Sequence, residues 1–289
     1  MIFTFTLLAL SVLSLWLGGD DRAPALRRNL WLRFFAASLA AALVFGIVRP
    51  LGLVSVVAIA AATYGFSRPA AGKLQKAAAG LAIFALAAGL MLHRLPGFNN
   101  PRVIDAVRFT ADAVPFTLYL NYDKVLVGLF FLGWCHVRIS RGSDWRAMLA
   151  TAAPRAAGLL VLIMALSLAA GYVRFDPKFP AETWLWLGVN LGFTCMAEEA
   201  IFRGFLQAQL QRLWQHRSGG PWLALGVAAV LFGLAHAAGG PVYVALAAVA
   251  GAGYGWIYQK TQRIEASILT HFALNTVHFL CFTYPALQR

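Results

Sequence analysis

The sequence predicts an all-α fold, a polytopic transmembrane helical bundle of about 8–10 spans with an active site inside the membrane in the C-terminal half. Of the 289 residues, 60% are hydrophobic and only 12% are charged, and the mean hydropathy is +0.69. Soluble domains are far less apolar. Apolar windows of nearly 20 residues, the length that crosses a bilayer, recur along the whole chain.

About ten windows have the length and composition of a membrane span. In order, they cover approximately residues 2–18, 31–48, 50–66, 77–93, 116–134, 148–172, 183–200 or beyond, 221–238, 241–258 and 264–283. The first lacks a basic segment before it and a small-residue cleavage site after it, which favours a membrane helix over a removed signal peptide. Residues 94–115 are rich in turn formers and leave room for a short interfacial helix.

The formal charge of +13 comes from Lys and Arg residues in short connections, not from one amphipathic face, so we expect no nucleic-acid partner. The positive-inside rule places the odd-numbered connections in the cytoplasm and the N-terminus outside. The composition, rich in Ala and Arg, favours a multi-pass protein of a bacterial inner membrane. The basic residues of the odd-numbered connections are Arg22, Arg27, Arg28, Arg33, Arg68, Lys73, Lys76, Arg138, Arg141, Arg146, Arg212, Arg217, Lys260 and Arg263.

Unusual polar residues are concentrated near the C-terminus, and no linker divides the bundle. We therefore assign residues 1–182 to N-terminal transmembrane helices of unassigned role and residues 183–289 to the core that carries the chemistry. The cysteines Cys135, Cys195 and Cys281 have no CxxC spacing and cannot all pair, so neither a disulfide framework nor a thiolate metal site is indicated.

The stretch CMAEEAIFRGFL, residues 195–206, places two carboxylates and a guanidinium in an apolar segment. Unpaired, Glu198, Glu199 and Arg203 would cost roughly 8–10 kcal/mol in a membrane. Glu199 and Arg203 stand at i and i+4, which predicts a structural, orienting pair. Glu198 lies about 100° away around an α-helix and is the candidate for proton chemistry. Alternatively, both acids mark the cytoplasmic end of the span, with Arg203 snorkelling.

Two later stretches bring further polar groups into apolar segments. In LFGLAHAAGG, His236 follows Phe232 by one helical turn, and in ILTHFALNTVHF, His271 and Asn275 share one helix face. A glutamate can take a proton from water, one histidine can orient that water, and a second histidine with an asparagine can stabilise an oxyanion. The alternative is that Glu198, His236 and His271 hold a metal with an open position for water.

Three motifs in series, EExxxR, FxxxH and HxxxN, resemble the CPBP family, the CAAX prenyl proteases and bacteriocin-processing relatives (ABI, Rce1-like). The motif residues are Glu198, Glu199, Arg203, Phe232, His236, His271 and Asn275. The resemblance covers about residues 183–283 and implies an intramembrane endopeptidase. It implies that Glu198 and His236 activate water and that His271 and Asn275 form the oxyanion site. It leaves open whether the cofactor is Zn²⁺ or whether there is none.

We expect the substrate to be a membrane-associated peptide or protein. The sequence leaves the oligomeric state open. The alternative class is a non-enzymatic membrane protein, for bacteriocin immunity or transport. Ser267 lacks the G-x-S-x-G type motif of a nucleophilic serine. His278 is not part of the family pattern, and we expect it to act in packing or in a supporting hydrogen bond.

Overall fold

A computed structural model describes residues 1–17 and 29–288, and it confirms the all-α class. Arg22, Arg27 and Arg28, which contribute to the predicted orientation, lie outside the described residues. The helices are α1 (Ile2–Ser14), α2 (Leu30–Val44), α3 (Pro50–Ser67), α4 (Lys73–Met91), α5 (Tyr122–Cys135), α6 (Gly142–Ala169), α7 (Thr183–Val189), α8 (Met196–Glu199), α9 (Ala208–Leu213), α10 (Gly220–Ala235), α11 (Pro241–Thr261) and α12 (Ile264–Cys281).

The chain is an integral membrane protein. Within the described residues, α3, α4, α6 and α11 are long and apolar enough to cross a membrane, and α1, α2 and α10 are shorter apolar helices. Large apolar side chains such as Leu74, Leu81 and Val161 are more than two-thirds exposed, as expected for side chains that contact lipid. The number of crossings and the orientation stay predictions.

The connection before α5 differs from the expectation of an interfacial helix. Residues 102–107 and 116–119 form two paired strands, β1 (Arg102–Val107) and β2 (Phe116–Tyr119), and α5 begins only at Tyr122. The sequences RVIDAV and FTLY are rich in β-branched and aromatic residues, which favour strands. Prolines at positions 101 and 115 lack a backbone N–H and disfavour a continuous helix through this connection.

Residues 183–213 are helical throughout but not uniformly α-helical. Two π-helical segments, Asn190–Cys195 and Ala200–Gln207, flank the single α-helical turn of α8. A π-helix bonds i to i+5 and is wider than an α-helix, and such segments occur frequently at functional sites. The α-helical rotation of about 100° per residue, which we assumed for the EExxxR motif, therefore holds for Glu198 and Glu199 but not beyond residue 199.

The chain divides into two compact units. Unit 1 comprises Met1–Arg102, Tyr119–Arg141 and Gly192–Ile201, and unit 2 comprises Val103–Leu118, Gly142–Leu191 and Phe202–Arg289. Both units therefore combine segments from either side of the boundary that the sequence suggested at residue 183, which stays a prediction.

The centre of unit 1 is α5, whose residues 125–132 are buried on every face. Glycine at position 128 allows close contact with α8, because a Cβ there would lie 2.8 Å from the Cα of Ala197. The two helix backbones therefore pack directly against each other at this point.

In unit 2, a row of glycines on α11 allows polar side chains to reach its backbone. Arg203 Nη2 donates to the carbonyl of Gly251 at 2.8 Å, and Gln207 Nε2 donates to that of Gly255 at 3.0 Å. A Cβ at Gly253 would come within 2.4 Å of the Leu159 side chain of α6. Gly251, Gly253 and Gly255 are thus sites of close approach.

We expect Gly128→Ala to destabilise the protein by about 1–3 kcal/mol, because the new methyl group overlaps the α8 backbone. Thermal unfolding in detergent, followed by circular dichroism, measures this. Gly65→Ala in α3 is the control, since a Cβ there meets nothing within 4 Å and gains the same helix propensity. Equal effects of the two substitutions would contradict the proposed contact.

Candidate active site

Three of the four predicted catalytic residues line one cavity in unit 2. His236, His271 and Asn275 share a cavity of about 60 Å³ with His278. This volume accommodates a few water molecules, and the polar groups on its wall provide hydrogen-bonding partners for them. The remaining wall is mostly aromatic and aliphatic. The structure thus brings the FxxxH and HxxxN motifs together around space for water.

His236 caps the C-terminus of α10 instead of lying inside a longer helix. Its Nδ1 lies 2.7 Å from the carbonyl oxygen of Phe232, so Nδ1–H donates to that oxygen and Nε2 is the ring's acceptor. The chain then turns through Gly240, whose φ of +85° suits glycine, and enters α11. The first residue of the FxxxH motif therefore fixes the tautomer and orientation of the last.

His271 and Asn275 stand one turn apart on α12. The His271 ring is 4% exposed and stacks on Tyr254, with centroids 4.7 Å apart. The Phe232 ring contacts both histidines, at 4.7 Å from His236 and 5.7 Å from His271. The shared contact with Phe232 places the two histidines at the same level of unit 2.

Asn275 is held by a residue that the sequence did not indicate. Its Nδ2 donates to Oδ1 of Asn190 at 3.3 Å. Asn190 is the first residue of the first π-helical segment. A polar residue in the apolar stretch WLGVNLGF was the available signal for it.

Glu198 lies in unit 1 and is 7% exposed. Lys124 Nζ donates to its Oε1 at 2.6 Å, and both side chains are largely buried. In an apolar environment such a pair offsets the cost of burying each charge, provided that the geometry is good. Glu198 is therefore stabilised as a carboxylate, which is the form that a general base requires.

Lys124 is positioned by the N-terminus of α5. The neighbouring carboxylate of Asp123 is 1% exposed and accepts hydrogen bonds from Asn100 Nδ2 at 2.9 Å and from the backbone N–H of Lys124 at 2.9 Å. His93 Nδ1 lies 2.7 Å from the same carboxylate. These contacts fix the first turn of the helix, and Lys124 with it. The sequence signal for Lys124 was the Asp–Lys pair inside NYDKVLVGLFF.

Arg203 is fully buried in unit 2 and packs against aromatic rings. Its guanidinium carbon lies 4.4 Å from the centroid of Phe232 and 5.3 Å from that of Tyr254. Cation–π contacts of this kind stabilise a desolvated guanidinium. These two rings also contact the histidines, so Arg203 supports the site through them. Its pairing with Glu199, which is also fully buried, stays a prediction.

The zinc alternative requires three protein ligands around one ion. Over residues 1–17 and 29–288, no group of three His, Cys, Asp or Glu side chains is placed to hold a metal ion. Zinc ligation by Glu198, His236 and His271 stays a prediction.

Two further residues have structural partners. Ser267 is fully buried, and its Oγ donates to the Tyr254 carbonyl at 3.1 Å, which suits a packing role. His278 Nε2 lies 3.2 Å from the Thr283 carbonyl, a supporting hydrogen bond at the cavity wall. No disulfide joins Cys135, Cys195 or Cys281.

Comparison with known proteins supports the resemblance that the motifs indicated. Residues 180–277 match the model of a family described as "Type II CAAX prenyl endopeptidase Rce1-like". The match covers about a third of the chain and includes all seven motif residues. No curated protein and no solved structure matches the chain. The C-terminal part of the protein is thus similar to a family of membrane proteases, as expected.

We expect the Lys124–Glu198 pair to show strong energetic coupling. Lys124→Met leaves a buried carboxylate without its ammonium and should cost about 3–5 kcal/mol of stability. In the double variant with Glu198→Gln, the loss should fall short of the sum of the two single losses by at least about 1 kcal/mol. Thermal unfolding of all four proteins in detergent measures this coupling.

The exposed pair Arg174–Asp112 is the control for this cycle. Its variants Arg174→Gln and Asp112→Asn should be coupled by no more than about 1 kcal/mol, because water screens the charges. Additive losses at Lys124 and Glu198 would show that the pair does not stabilise the fold.

Proposed function

We propose that this protein is an intramembrane endopeptidase that hydrolyses a peptide bond of a membrane-associated protein or peptide. The observation that carries the proposal is the convergence of His236, His271 and Asn275 on one small cavity with apolar walls. The family match over the same residues supports a CAAX-type protease. Apolar walls exclude bulk water and strengthen hydrogen bonds to developing charge.

In the proposed reaction, Glu198 acts as the general base. Its carboxylate takes a proton from a water molecule whose position is set by the Nε2 acceptor of His236. The resulting hydroxide adds to the carbonyl carbon of the scissile bond. The tetrahedral intermediate then collapses, the C–N bond breaks, and the proton held by Glu198 passes to the leaving nitrogen.

His271 and Asn275 would stabilise the oxyanion of that intermediate. Both side chains carry N–H donors, they face the same cavity, and they are held by Tyr254 and Asn190 before substrate binds. Donors that are oriented in advance lose little free energy to reorganisation during the reaction. Lys124 is a positioning residue in this scheme, because it acts through Glu198.

The proposed substrate class follows from the surroundings of the site. The cavity is bordered by α6, α10, α11 and α12, and α6 and α11 are long and apolar enough to span a membrane. A substrate that is lipidated or transmembrane can reach such a cavity from the lipid phase.

We expect Glu198→Gln and His236→Ala each to lower cleavage at least about 100-fold, because each removes one partner of the attacking water. Quantitative mass spectrometry of membranes from cells that express each variant should show the same uncut precursor accumulating in both. His216→Ala is the control, since that histidine is exposed. If the variants insert normally and no precursor accumulates, a non-enzymatic role is correct instead.

We expect cleavage of that precursor to persist in a strong chelator. In the proposed reaction, Glu198 and His236 activate the water without a metal ion. The measurement is the cleavage rate of purified protein in detergent with and without chelator. Loss of activity in chelator and its recovery with Zn²⁺ would establish the metal alternative.

A further inference from the structure

A second, larger cavity in unit 2 is unrelated to the candidate active site. It is an open groove of about 770 Å³ formed by α6, α10 and α11, and we call it the Arg155 groove. Its size is typical of sites for small organic ligands, which range from roughly 300 to 1,000 Å³. The described residues that line it are aliphatic, glycine, proline and tryptophan, apart from Arg155.

The guanidinium of Arg155 is incompletely satisfied. Nη1 donates to the carbonyl of Thr151 at 2.5 Å, and the guanidinium carbon lies 5.6 Å from the centroid of Trp256. Nε is buried and has no hydrogen-bond partner among the described residues. No acidic residue is among those lining the groove. An anion that accepts hydrogen bonds from the remaining N–H groups would satisfy this guanidinium.

The polar end of the groove lies near the ends of its helices. Trp256 is five residues, or ~7 Å, before the end of α11 at Thr261. Trp222 lies in the first turn of α10, and Gln259 Nε2 donates to the Pro221 carbonyl at 2.7 Å, which joins the two helix ends. Tryptophans at such positions mark the level of lipid headgroups.

Basic residues near the same helix ends support placing the polar boundary of unit 2 there. Arg263 follows α11 and lies 3.9 Å from Asp144 in the first turn of α6. Arg146 is exposed in the same turn region. The positive-inside rule assigns such ends to the cytoplasmic leaflet, where anionic lipids are found.

Beyond Arg155, the groove continues as an apolar trough. A Cβ at Gly158 would meet nothing within 4 Å, so the floor of the groove is open at this position. Leu162, seven residues or ~10 Å beyond Arg155, is 48% exposed, and Val249 of α11 is 39% exposed. A hydrocarbon chain would be in contact with these side chains while its headgroup stays at Arg155.

We propose that the Arg155 groove binds one anionic phospholipid, whose phosphate accepts hydrogen bonds from Arg155 and whose acyl chain lies along α6 past Gly158. Charge complementarity selects this occupant: a neutral hydrocarbon or a second apolar helix would leave the guanidinium without an anion. Trp222 and Trp256 flank the interfacial end of the site.

Native mass spectrometry of the full-length protein tests the proposal, with an equal mixture of phosphatidylglycerol and phosphatidylcholine in the detergent micelles. The wild type should retain one phosphatidylglycerol at about tenfold higher occupancy than phosphatidylcholine. Arg155→Gln should abolish this preference. Gly158→Leu should lower the retention of both lipids, because the new side chain fills the floor of the groove.

Arg146→Gln is the matched control, because it removes one charge from the same helix outside the groove. The proposal is overturned if the wild type retains both lipids equally, if Arg146→Gln and Arg155→Gln behave alike, or if a second protein copy is retained instead of lipid. Glu198→Gln should bind lipid like the wild type, so the result does not depend on the proposed peptidase activity.

Discussion

A charge inside a membrane helix must be compensated within the protein. In unit 1, the ion pair between Lys124 and Glu198 compensates two such charges. Glu198 alone would cost about 2.5–3.5 kcal/mol in a bilayer. Its compensation depends on several features of α5 acting together: Gly128 lets the helix approach α8, and Asp123 holds the first turn in place. A catalytic role for Glu198 presupposes this arrangement, since an uncompensated carboxylate would become protonated and could not act as a base.

Unit 2 meets the same requirement with aromatic rings and backbone carbonyls. Arg203 lies over Phe232 and Tyr254 and donates to Gly251, a carbonyl that the glycine row leaves accessible. The same two rings contact His236 and His271. The rings that stabilise the charge of Arg203 therefore also contact both histidines. Arg203 does not line the cavity, but its substitution would disturb the two rings that contact the cavity histidines.

Local features of this protein could be predicted from the sequence because they depend on helix spacing. Phe232 and His236 stand one turn apart and share a hydrogen bond, and His271 and Asn275 stand one turn apart and line one cavity. Partners that are distant in the chain could not be predicted in this way. Lys124 lies 74 residues from Glu198, and Asn190 lies 85 residues from Asn275. No periodicity specifies which apolar helix faces which.

Irregular backbone segments are a second reason why the structure differs from the prediction made from the sequence. The π-helical segment Ala200–Gln207 changes the angle per residue, and it directs Arg203 and Gln207 towards α11. The strands β1 and β2 form where we expected a short interfacial helix. The β-branched residues of this segment favour strands, and its two prolines disfavour a continuous helix. Both differences arise where tertiary contacts or local propensity override simple hydrophobic patterning.

In the proposed reaction Glu198 and His236 act on one water molecule, which requires both side chains to reach it. The test uses a chain in which the three native cysteines are replaced by serine and cysteines are introduced at positions 198 and 236. A short bifunctional thiol reagent is added, and the connection after α9 is then cut by proteolysis. We expect the fragments to stay joined, and we expect a cysteine at the exposed Val249 not to link to position 198. Fragments that separate for the 198–236 pair would contradict it.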